Sequence, residues 1–161
     1  MVLKVNGLRE KLSLKCIIGY SDIETVKLDF DYTPFKTVRY FAFLTLKRFK
    51  LGGFIILKSS MNCYHVVFDR RVSWSENMRI VAWVGLLCKN RFLLKWFVMQ
   101  CIKEESTLRV SCKREKPSPR IVFRYGCEDM QIREFLGCRK TIKGIVRRLQ
   151  NEGVGLYHGS C

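Results

Sequence analysis

The sequence predicts an α+β fold, a mainly antiparallel sheet covered on one face by helices, and three observations lead there. Runs rich in alternating, β-branched or aromatic residues recur at 23–31, 54–58, 64–69, 107–114 and 120–126, each bounded by turn residues. The second and third are separated only by the short polar segment Ser59-Ser60-Met61-Asn62-Cys63, the spacing of a hairpin. Helical stretches interrupt these runs in the order strand, helix, hairpin, helices, strands, helix, which is a segregated arrangement and not a strand–helix repeat.

Residues 1–20 are weakly patterned and read as a short strand or helix leaning on the core. In the run 23–31, a period of two puts Val26, Leu28 and Phe30 on one face and Lys27, Asp29 and Asp31 on the other. Thr33 followed by Pro34 is a helix-start signal, with Thr33 as N-cap and Pro34 at the first helical position. That helix runs through residues 35–50 and stops at Gly52-Gly53. In the hairpin's second strand, Tyr64, Val66 and Phe68 face the core, while His65 points outward with Cys63 and Val67. Ser73 or Ser75 opens a second helical region that reaches about Glu105 and breaks near Lys89-Asn90. The runs 107–114 and 120–126 are strands joined by the Glu115-Lys116-Pro117-Ser118-Pro119 turn. Residues 128–150 read as one or two amphipathic helices with basic faces, and 153–161 as a frayed end.

Composition limits the possibilities. The chain of 161 residues, 48% of them hydrophobic, suits one domain spanning 1–161. Lys and Arg number 30 against 14 Asp and Glu, a net charge of +16, and they are spread from Lys4 to Arg148. Basicity so distributed favours a polyanionic partner, nucleic acid or an anionic membrane surface. The longest apolar stretch, 80–88, is too short to span a bilayer, and the charged N-terminus has no apolar signal region, so a cytoplasmic location without a membrane partner is expected. The 8 cysteines show no C-x-x-C pair or Cys/His cluster at zinc spacing, which leaves buried thiols or disulfides. Trp74, Trp83 and Trp96 fall in apolar segments and are assigned to the core.

Two segments carry chemistry. Asp29 and Asp31, side by side on a strand face, are the hard-oxygen ligands that a Mg²⁺ or Mn²⁺ ion bound to phosphate requires; the alternative is a solvated strand face with Asp31 helping to cap the next helix. In Lys58-Ser59-Ser60-Met61-Asn62-Cys63-Tyr64-His65, a positioned imidazole could donate to a phosphate or move a proton. Basic residues on the helices, Arg39, Lys47, Arg48 and Lys50 together with Arg139, Lys140, Lys143, Arg147 and Arg148, line a groove or simply form solvated faces.

Taken together, the acidic pair at a strand end, then a helix, then Ser59, Tyr64 and His65 ahead of an apolar strand, resembles the catalytic core of the archaeo-eukaryotic primase superfamily, over about residues 22–125. Ser60 and Cys63 stand where that family usually has glycines. The resemblance implies an RNA-recognition-like sheet and metal-dependent nucleotidyl transfer, a minimal primase or primase-polymerase. It implies Asp29, Asp31 and His65 as catalytic residues, Asp29, Asp31 and Glu105 as Mg²⁺ or Mn²⁺ ligands, and Ser59, Ser60, His65, Arg109 and Lys113 as the nucleotide site. Glu104 and Glu105 are the carboxylates nearest the place of the family's third acid. The implied partners are a single-stranded DNA or RNA template, nucleoside triphosphates and a larger primase or replication subunit, with 128–150 as a basic helical extension. A second reading is a non-catalytic nucleic-acid-binding protein or accessory subunit with a degenerate primase fold. A third, a nuclease or replication initiator using His65 and a tyrosine, lacks a second nearby histidine.

Overall fold

The computed structural model describes residues 18–113 and 116–151, so the expectations for the first 17 residues and for the chain end fall outside the described residues. Four antiparallel strands form the main sheet: β2 (Thr25–Phe30), β3 (Gly53–Ser60), β4 (Cys63–Arg71) and β6 (Arg120–Gly126), in the spatial order β2-β4-β3-β6. A small second sheet pairs β1 (Gly19–Asp22) with β5 (Ser106–Arg109). The helices are α1 (Phe35–Phe49), α2 (Trp74–Leu87), α3 (Arg91–Lys103) and α4 (Gln131–Asn151). The α+β class and the hairpin at 54–69 are therefore as expected. The first three strands of the main sheet form the split unit of an RNA-recognition-like sheet, with β4 inserted between β2 and β3; β6 then adds beside β3, not beside β2.

The expected strand 23–31 is β2, trimmed to Thr25–Phe30, and a separate strand, β1, precedes it. The Asp22 carboxylate accepts hydrogen bonds from the Glu24 and Thr25 backbone N–H groups, which ends β1 in a turn and sends the chain from one sheet to the other. The two late strands also do not pair with each other. β5 is drawn to β1, and β6 to β3, where Phe123 stacks on Phe54, Tyr125 leans on it, and both meet Phe43 edge to face. Close backbone approach requires glycine at this edge: a Cβ on Gly53 would lie 2.0 Å from the Cys127 carbonyl oxygen, and one on Gly126 would lie 2.4 Å from that of Gly52. Among the described residues of the turn at 113–120, Lys113 and Lys116 form an isolated bridge.

Helix ends follow local chemistry. The α1 N-cap is Pro34, whose ring has no acceptor to cap the helix; Thr33 stands one residue before it, and its hydroxyl donates to the Asp31 carbonyl. Ser73 caps α2 by accepting from Glu76 N–H, three residues on. The break between α2 and α3 falls at Asn90, whose side-chain oxygen accepts from the Phe92 and Leu93 backbone N–H groups.

Both sheet faces are covered. Val26, Leu28, Phe30, Phe54, Ile56, Val66 and Phe68 pack beneath α1, α2 and α3, with all three tryptophans partly buried against them. On the other face Ile55, Leu57 and Val67 pack against Leu108 and Val110 at β5, and against Ile132 and Phe135 of α4. The α4 layer is what the sequence did not place, and it closes most of the sheet face expected to be free. Among the described residues, no helix is long and apolar enough to cross a membrane.

Candidate functional site

The face that carries Lys27 and Asp29 also carries His65, because β2 and β4 pair with Asp29 directly opposite His65, and Leu57 flanks His65 from β3. His65 therefore points away from Tyr64, Val66 and Phe68, as its position in the alternation requires. It is not exposed, however: α4 and β5 leave it 4% accessible. Its Nε2 lies 3.6 Å from Asp29 Oδ1, beyond hydrogen-bond reach, and both Asp29 Oδ1 and His65 Nδ1 lack a hydrogen-bond partner.

Burial sets the protonation of this pair. Loss of solvent, reinforced by the nearby Asp31 charge and opposed by Arg109 and Lys116, pushes the Asp29 carboxyl up to about 7. Burial, with Arg109 and Arg139 adding to it, pushes the His65 imidazole down to about 3. At neutral pH the imidazole is thus uncharged, and Asp29 is poised between its two forms.

Arg109 organises the surroundings. From β5 its guanidinium donates to the carbonyl of Ser59 at 3.2 Å, that of Pro117 at 2.9 Å and that of Ser111, tying the end of β3 to the 113–120 segment. Arg139 donates to the Pro119 carbonyl from α4 and is only 7% exposed, so it is a buried strut and not part of a solvated basic face. Beside these ties opens a cavity of about 560 Å³ lined by Lys58, Ser59, Ser60, Met61, Lys116, Arg120, Lys143 and the intervening Pro117–Pro119 segment. Among the described residues, its lining carries four cationic side chains and no carboxylate.

The expected site residues divide accordingly. Asp29, His65, Ser59 and Arg109 come together, and Ser60 joins them through the cavity. Asp31 falls just past β2 in a bend, since Tyr32 turns the chain with a φ of 52°. Glu105 stands by Thr107 and acts electrostatically on Lys27, toward the opposite end of β2 from Asp31. Lys113 is exposed in its bridge to Lys116. Sequence reading missed Lys116, Arg120, Lys58 and Asp69. Asp69, 2% exposed, accepts from the Asp129, Met130 and Ile132 backbone N–H groups and so anchors the start of α4.

The donor set does not match a two-metal centre. Among the described residues no three His, Cys, Asp or Glu side chains gather where they could hold a metal ion, and the charges acting on Asp29 besides Asp31 are cations. Compared with family models, curated proteins and solved structures, the chain matches none.

Proposed function

We propose that this protein binds single-stranded nucleic acid through its phosphates, without a metal ion. The observation that supports this reading is the cavity in which Lys58, Lys116, Arg120 and Lys143 meet Ser59 and Ser60, with no acid among the described lining residues. Ammonium and guanidinium groups on three different elements and a loop can do for a phosphate chain what bound Mg²⁺ does elsewhere, and hydroxyls supply neutral donors. The net charge of +16 provides the longer-range attraction. A cytoplasmic location belongs to the same reading. The test is binding of a fluorescently labelled single strand in excess chelator. Unchanged affinity on chelation, and on combined Asp29→Ala and Asp31→Ala substitution, is expected; a strict requirement for Mg²⁺ would overturn it.

Nucleotidyl transfer with Mg²⁺ or Mn²⁺, on a template and with nucleoside triphosphates, is the second reading. It is favoured by Asp29 and His65 facing each other, Oδ1 3.6 Å from Nε2, with Asp29 Oδ1 and His65 Nδ1 each without a hydrogen-bond partner. It predicts primer synthesis on a single strand that is abolished by Asp29→Ala, and absence of any product would dismiss it. A larger replication subunit as partner belongs with that reading.

A further inference from the structure

At the same end of the sheet as the cavity, three loops converge. The Thr33 backbone N–H donates to the Asn62 carbonyl at 2.8 Å, joining the β2–α1 loop to the β3–β4 turn. The Asn90 side-chain amide donates to the Thr33 hydroxyl at 2.8 Å and to the Asp31 carbonyl at 3.4 Å, joining both to the start of α3. Tyr32 sits in the middle of this tied loop with a φ of 52°, a left-handed conformation in which a bulky side chain is uncommon, and its side chain remains exposed. Turn geometry alone would favour Gly, Asn or Asp at such a position.

The Tyr32 residue is 74% exposed, so folding gains little from burying it. Its centroid lies 4.9 Å from that of Phe92 at an interplanar angle of 48°, and the Arg91 guanidinium stands 4.9 Å from the Phe92 ring. Met61, 81% exposed, follows Ser60 on the adjoining turn and lines the cationic cavity. An exposed ring backed by a second aromatic and a guanidinium, one loop away from the cationic cavity, has the composition of a platform for a base attached to a phosphate chain.

We infer that Tyr32, supported by Phe92 and Arg91, stacks on an unpaired nucleobase of the strand whose phosphates enter the cavity. This rests on the nucleic-acid-binding reading and adds to it a site for the base. Stacking on a π-face is tolerant of base identity, so the site favours single strands over duplex without selecting sequence.

The test compares an oligothymidylate with an abasic deoxyribose-phosphate strand of the same length, using wild type, Tyr32→Phe and Tyr32→Asn. Asparagine accepts the left-handed backbone, so the loop is preserved while the ring is lost. Wild type and Tyr32→Phe are expected to bind the thymidylate about 5- to 100-fold more tightly than the abasic strand. Tyr32→Asn is expected to bind both strands with the wild-type affinity for the abasic one. Retention of the thymidylate preference in Tyr32→Asn, or its absence in wild type, overturns the stacking site alone. Failure of wild type to bind either strand overturns the phosphate-binding reading, and the stacking site with it.

Discussion

Asp29 and His65 stand opposite each other on β2 and β4, 3.6 Å apart at Oδ1 and Nε2, with loss of solvent disfavouring the charged form of each. Their pKa values are displaced toward each other's range and past it: the acid is raised to about 7 and the base lowered to about 3. The pair is therefore uncharged from mildly acidic pH up to near neutrality.

Stability should follow from this. Asp29 has a folded pKa above the ordinary 3.8, so its contribution is fully present below 3.8 and is lost as pH rises through 7. His65 has a folded pKa below 6.5, so its contribution is present above 6.5 and is lost as pH falls toward 3. Between these limits the two slopes oppose each other. Asp29→Asn removes one of them, and the variant should exceed wild type in unfolding free energy by up to about 4 kcal/mol at pH 8, with the difference vanishing near pH 4. Urea unfolding across that range checks this; a difference independent of pH would refute it.

Asp69 should be among the most sensitive polar positions. Three backbone N–H groups around the start of α4 converge on its buried carboxylate. Asp69→Ala leaves those donors unsatisfied and removes a charge favourably placed at a helix N-terminus, for a loss of about 2 to 4 kcal/mol. Hydrogen exchange should show α4 amides losing protection well before those of β3 and β4.

Arg109→Ala should loosen the cavity wall, because Ser59, Ser111 and Pro117 each lose a charged donor to their carbonyl. A destabilisation of about 2 kcal/mol is expected. Since Arg109 lowers both the Asp29 and the His65 values, each group should titrate at higher pH in the variant, which NMR of the imidazole and carboxyl resonances would reveal. An unmoved His65 titration would count against the cluster.

Local rules made much of this legible in the sequence. Alternation placed Val26, Leu28 and Phe30 under the helices and sorted His65 from Tyr64 and Val66, because a strand's period is fixed by backbone geometry. Asn90 and Ser73 announced their helix boundaries through short-range capping. Distant choices were not legible. Asp69 anchors a helix start 60 residues later, and β6 joins β3 through aromatic packing and a glycine contact that no local pattern encodes. The same holds for the cavity, where Lys58, Lys116, Arg120 and Lys143 meet only after folding, while Arg139, outwardly similar in sequence, is consumed inside.

The most direct measurement is the salt dependence of single-strand affinity in the presence of chelator. Metal-free phosphate binding predicts a linear fall of log K with log salt, and combined Lys58→Ala, Lys116→Ala and Lys143→Ala substitution should reduce the magnitude of that slope by about 2. Affinity that is insensitive to salt, or a slope unchanged by removing those three lysines, would contradict the account.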